Sequence, residues 1–165
     1  MQETTSVIQY AKLLGLSAFM KNDPNHLDEL TRRLGALVSM DGRIRLAVIF
    51  GSTASGKANA ESDIDIAILP THADMSLDAE LSLQVELTRL AGRSVDLVRL
   101  DRAPTLIRWE ALRDGVLLFQ SGPSELARAR AAAASEYIDF APALEAAAAR
   151  FRRRLAAGTA PGNIA

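Results

Sequence analysis

Three aspartates and one Gly-Ser pair hold the chemistry that this sequence of 165 residues can do. Gly51-Ser52 follows an apolar run, Leu46 to Phe50, and ten residues separate the pair from Asp63-Ile64-Asp65, which opens a second apolar run ending at Leu69. Alternation along a strand puts Asp63 and Asp65 on one face and Ile64, Ile66 and Ile68 on the other. Two ionised carboxylates about 4 Å apart repel by roughly 4 kcal/mol at an effective dielectric of about 20, so the pair calls for a cation. Carboxylate oxygens suit magnesium, which commonly keeps water and substrate phosphates as its other ligands. Gly51, without a Cβ, lets the backbone approach an anion closely, and amides in a tight turn at a helix start make a nest for phosphate. Asp96 stands within Val95 to Leu100, on the face opposite Val95 and Leu97, and completes a set of three if its strand lies beside that of Asp65.

These residue types in this order support metal-dependent transfer of a nucleotidyl group. Asp63 and Asp65 would hold two magnesium ions, one on the triphosphate and one on the attacking hydroxyl. Asp96 would bind the second ion and help to accept the proton, while Gly51 and Ser52 orient the phosphates. No covalent enzyme intermediate is needed, in keeping with the lack of an evident nucleophile and base pair.

Each signal has a plainer reading. Gly51 to Lys57 also spells Gly-x-x-x-x-Gly-Lys, the start of a P-loop, but Ala58 stands where the magnesium-binding hydroxyl belongs. Only Lys57 to Ser62 separate that lysine from the Asp-x-Asp strand, too few for a parallel crossover of a dozen or more residues. The aspartates could be solvated strand ends. Ser52 could be a helix cap, a role compatible with holding a phosphate oxygen. Lys57 reads either as a surface lysine or as a triphosphate contact. His26 and His72, near expected helix starts, read as structural or surface residues.

The Gly-Ser pair, the spacer, the Asp-x-Asp and the later strand carboxylate resemble the nucleotidyltransferase superfamily that includes DNA polymerase beta and the aminoglycoside nucleotidyltransferases. Ser62-Asp63-Ile64-Asp65-Ile66-Ala67, Ser94-Val95-Asp96-Leu97-Val98 and the small size narrow the likeness to the minimal nucleotidyltransferases, the antitoxin halves of HEPN toxin pairs, over roughly Ile44 to Gln120. The resemblance implies ATP as substrate, magnesium as cofactor and a cognate HEPN ribonuclease toxin as partner, with AMP transferred to a toxin tyrosine. Many of these proteins have an arginine shortly after Gly-Ser, where this chain has Thr53-Ala54-Ser55, and Lys57 is a candidate replacement. Three alternatives stay open: an antitoxin that neutralises by contact alone, an aminoglycoside-type transferase with a small hydroxylated substrate, and a nucleic-acid binding module using Arg150 to Arg154.

Positioning these residues takes a sheet with helices on its faces. Leu27, Leu30, Leu34, Leu37 and Val38 make one helical stripe between Pro24 and Asp41-Gly42, and Ile8, Ala11, Leu14 and Phe19 could line an earlier helix. Leu46 to Phe50 is apolar throughout, as in a strand covered on both faces. Ser76 reads as an N-cap, Asp78 and Glu80 fall in the first turn, and Leu83, Leu87 and Leu90 continue the helix to Gly92. Pro104 opens a helix carrying Leu106, Ile107, Trp109 and Leu112, which Gly115 closes before a short strand, Val116 to Phe119. The remainder is alanine-rich and helical in propensity, with an interruption expected at Pro142. The expected architecture is α/β, a small mixed sheet flanked by helices and extended by C-terminal helices, in one domain with its core over about 44–120.

Composition sets outer bounds. A hydrophobic content of 48% with 24% charged residues is that of a globular domain able to bury a core. A formal net charge of -1 gives no overall pull toward nucleic acid or an anionic membrane. With no cysteine, disulfides and thiolate metal sites are excluded. The start, Met1 to Thr5, lacks the character of a signal peptide, and no apolar run is long enough to span a bilayer, so a cytoplasmic protein is expected. Arg150 to Arg154 reads as a solvated helix end or a partner interface.

Overall fold

The computed structural model describes residues 24–59 and 62–156. The expected helix around Ile8 to Phe19 lies outside them. Five helices and four strands follow in the order α1 (Pro24–Met40), β1 (Ile44–Phe50), α2 (Gly51–Ala54), β2 (Ile64–Pro70), α3 (Leu77–Ala91), β3 (Val95–Arg99), α4 (Thr105–Arg113), β4 (Val116–Gln120) and α5 (Glu125–Ala156). The strands form one mixed sheet in the order β3-β2-β1-β4. β1 runs antiparallel to β2 and β4, whereas β2 and β3 are parallel. The antiparallel β1–β2 pair also disposes of the P-loop reading, which needs a parallel crossover there.

Both faces of the sheet are covered, which is why β1 is apolar at nearly every position. On one face Ala47, Ile49, Ile64, Ile66, Ile68 and Val95 pack with Leu30, Leu34 and Val38 of α1 and Leu83 and Leu87 of α3. On the other, Leu46, Val48 and Ala67 pack with Ala111 and Leu112 of α4 and Ala133 of α5. Each of the larger side chains contributes roughly 1.5–3 kcal/mol on burial. The capping signals read from sequence operate as expected: the Ser76 side chain accepts from the Ala79 N–H at 3.2 Å, and Gly92 ends α3 in the left-handed region.

Two expectations are corrected. Pro142 does not interrupt the C-terminal segment, because α5 runs through it as one helix. A proline in a helix interior costs about 3 kcal/mol, but the strong helix formers on either side, alanine above all, keep the helix going. Asp63 lies just outside β2, which begins at Ile64, so it extends the line of the strand without being part of the ladder.

Three further ties hold the loops. Arg99, 5% exposed, donates to the carbonyls of Met75 and Ala73 at 2.8 and 3.1 Å and is paired with Asp101 at 2.6 Å. Arg130 donates to the carbonyls of Leu112 and Gly115, closing the end of α4. Trp109 and Tyr137 stack at 5.2 Å between ring centroids, fastening α4 to α5. Among the described residues no helix is long and apolar enough to cross a membrane.

Candidate active site

The sheet register brings two of the three aspartates side by side. Asp65 of β2 is paired directly with Asp96 of the parallel β3, and on its other side it faces Phe50, the last residue of β1. Gly51 follows Phe50 at once, so the chain turns into α2 beside the Asp65 carboxylate. Gly51 has φ of 68°, and a Cβ built on it would fall 2.2 Å from Asp65 Oδ2. Both the backbone angle and the close approach therefore demand glycine here.

The Gly-Ser turn is braced from within. Ser55 Oγ donates to the Gly51 carbonyl at 3.0 Å, and the Lys57 N–H donates to the Ser52 carbonyl at 2.9 Å. Ser52 is half-buried, while Lys57 is exposed. No ion pair joins Lys57 to the aspartates among the described residues. His72 is exposed and lies on the loop after β2, at the end of the sheet away from Asp65.

The electrostatics single out Asp65. Its carboxyl is pushed above the ordinary aspartate range first by burial, then by the charge of Asp96, then by that of Asp63. Asp65 is thus repelled by both of the other carboxylates, and no ion pair among the described residues reaches any of the three. As placed, they are electrostatic neighbours and not a closed cage: the described residues hold no group of three His, Cys, Asp or Glu in metal-holding arrangement. The donor set nonetheless fits a hard cation, being all oxygen, uncompensated and partly desolvated.

A separate cleft of about 400 Å³ is lined by Arg45, Leu69, Leu100, Arg108, Leu112 and Glu136 among others. It sits toward the opposite end of the sheet, and its Arg108 is already paired with Glu136 at 2.6 Å. Arg93 is the residue at the site that sequence reasoning missed. It donates to the carbonyls of Asn59 and Ser62 in the turn just before Asp63, and a lone arginine after a helix stop gives no signal in the sequence.

The fold is that of a nucleotidyltransferase. The family model for "Polymerase beta, Nucleotidyltransferase" matches residues 33–123, more than half of the chain, and the chain belongs to that family. A crystal structure of a toxin-antitoxin with AMP-PNP superposes with a TM-score of 0.65 at 23% identity, covering 73% of this chain and 96% of that one. The toxin-antitoxin MntA-HepT gives 0.62 at 21% identity over 76% and 98%. A Shewanella oneidensis structure of a tri-AMPylated HEPN toxin in complex with an MNT antitoxin gives 0.59 at 21% identity over 73% and 96%. At these identities the likeness shows the fold. No curated protein matches the sequence significantly.

Proposed function

We propose that this chain is a magnesium-dependent protein adenylyltransferase that serves as an antitoxin, moving AMP from ATP to a tyrosine of a cognate HEPN ribonuclease toxin. The observation that carries the reading is the direct register of Asp65 and Asp96 beside a Gly51 that has no room for a side chain. The neighbouring folds support the biological setting, since their structures are of toxin-antitoxin complexes, one with AMP-PNP and one with an AMPylated toxin.

In this reading the tyrosine oxygen attacks the α-phosphorus of ATP, the bond to the bridging oxygen of the β-phosphate breaks, and pyrophosphate leaves. Asp63, Asp65 and Asp96 would hold two magnesium ions. Magnesium held there would lower the pKa of the attacking hydroxyl and offset the charge developing on pyrophosphate. Asp63 and Asp96 are exposed, and Asp65 is half-buried. Asp96 stands to receive the tyrosine proton. Gly51 and Ser52 present the turn against which the phosphates lie, and Lys57 is the nearby cation for the far end of the triphosphate.

The toxin contact falls on the end of α5. Arg150, Arg152, Arg153 and Arg154 are exposed there beside Phe151 and Leu155, each 58% exposed. Incubating the chain with its HEPN partner, ATP and magnesium should add AMP to the partner, read by mass spectrometry, and Asp65→Asn should abolish the adduct. A silenced toxin without an adduct would overturn the enzyme.

The exposed arginines and apolar side chains at the end of α5 would equally serve one alternative, an antitoxin that acts by contact alone. A chain with all three aspartates changed to asparagine that still protected cells would establish it.

A further inference from the structure

The geometry points to Arg93 as a positioning residue: by clamping the turn that ends at Ser62, it fixes where Asp63 stands relative to Asp65 and Asp96. This rests on the nucleotidyltransferase reading of those carboxylates.

Asp63 has a particular need of support. It lies outside the β2 ladder, so no strand pairing sets its place, and its position is inherited from the turn before it. The two ends of that turn are bonded to each other. The Asn59 N–H donates to Ser62 Oγ at 3.0 Å, Ser62 Oγ donates to Asn59 Oδ1 at 2.9 Å, and the Ser62 N–H donates to the Asn59 carbonyl at 3.2 Å. A tie from the segment after α3 holds both Asn59 and Ser62. Gly92 ends α3 in the left-handed region, which sends the chain sharply toward the turn. Arg93 Nη2 then reaches both carbonyls, that of Asn59 at 3.3 Å and that of Ser62 in close contact. One residue further on, the Ser94 carbonyl accepts the Ile64 N–H at 2.9 Å.

The two segments so joined, 62–64 and 92–94, are those that lead into Asp65 and Asp96. A guanidinium is suited to the task because the two N–H groups of its Nη2, fixed in the plane of the group, can hold two carbonyls at once. The Arg93 Nε is buried and has no hydrogen-bond partner, so the side chain keeps this pose at the expense of an unmet donor. An arginine whose only role was to solvate the surface would turn outward instead.

The test is binding of AMP-PNP to the full chain at a series of magnesium concentrations, by calorimetry. Groups that orient metal ligands change metal affinity by about 10–100-fold when removed. Arg93→Gln should therefore raise the magnesium needed for half-maximal binding by about ten-fold, whereas a residue that only stabilised the fold would lower the melting temperature and leave that midpoint unmoved. A wild-type midpoint in Arg93→Gln overturns the proposal. Should that variant fail to fold, Arg93→Lys, which keeps a charge and a donor but not the planar group, carries the test: a shift of about three-fold is expected, and no shift overturns the proposal. If the wild-type chain itself binds no AMP-PNP with magnesium, it is the nucleotidyltransferase reading that falls.

Discussion

The Asp65 carboxylate occupies the space that a side chain on Gly51 would need, with a built Cβ only 2.2 Å from Oδ2. The two motifs, separated in sequence by a loop, are thus one object in space. Gly51→Ala must move either the turn or the carboxylate, and it also places a Cβ on a backbone with φ of 68°. Strain of this kind costs on the order of 1–3 kcal/mol. Displacing a ligand-bearing group by about 1 Å can cost ~100-fold in rate. Gly51→Ala is expected to lower nucleotidyl transfer by at least about that factor while lowering the melting temperature only modestly; near-normal transfer would contradict the close packing described above.

The Asp65 carboxylate works against folding at neutral pH. Because its folded-state carboxyl is raised by burial, then Asp96, then Asp63, folding favours the protonated form. That contribution is complete below the ordinary aspartate range, about pH 3.9, and is lost as pH rises through the raised folded value. Asp65→Asn removes the penalty, so without ligand at pH 7 it should melt about 1–2 °C higher than wild type, a small gain because the carboxylate is partly solvated. The gain should vanish below about pH 4. Magnesium and ATP reverse the order, since ligand at 100 times its Kd stabilises the binding-competent chain by about 2.7 kcal/mol. Calorimetric scans across pH, with and without ligand, check both signs.

The Arg99–Asp101 pair should behave in the opposite sense. Burial raises the Asp101 carboxyl, but the hydrogen bond and charge of Arg99 outweigh it and leave the group below its ordinary range. Its stabilisation is therefore present above about pH 3.9 and lost as pH falls through the lowered folded value. Arg99→Met strips partners from Asp101 and from the Ala73 and Met75 carbonyls together. Breaking a buried pair in this way costs about 3–5 kcal/mol. Denaturation at pH 7 should show a loss near that size, shrinking in acid as Asp101 is protonated in both chains.

Most elements were legible because their signals are local. The stripe from Leu27 to Val38, the Ser76 cap with its Gly92 stop, and the apolar strands each declare themselves within a dozen residues. The site was legible as residue types, since Gly51-Ser52 and Asp63-x-Asp65 carry their spacing in the sequence. What could not be read is non-local. Nothing in Val95 to Leu100 says that Asp96 will sit in direct register with Asp65, because parallel pairing is fixed by a crossover helix and not by a turn. Nor does the sequence show that Asp63 falls short of the strand, that Arg93 reaches back to Ser62, or that alanines either side of Pro142 carry the helix through it.

Gly35 illustrates the same limit and yields a final prediction. In the middle of α1 a glycine reads as a weak point, where alanine should gain about 0.5–1 kcal/mol. The fold reverses that sign. A Cβ on Gly35 would come 2.5 Å from the backbone carbonyl oxygen of Leu118 in β4, an atom that cannot swing aside as a side chain can. α1 would have to lift from the sheet, loosening the packing of Leu34 and Val38, both fully buried. Overpacking of this kind costs about 1–3 kcal/mol, enough to outweigh the gain in helix propensity. Gly35→Ala should therefore lower stability by about 1–2 kcal/mol in urea titration, after the propensity gain is subtracted. Asp65 and Asp96 lie on the sheet face opposite α1, so transfer per folded molecule should stay within about two-fold of wild type, and a large loss of transfer in a stable Gly35→Ala chain would show that α1 and the carboxylates are coupled through the sheet.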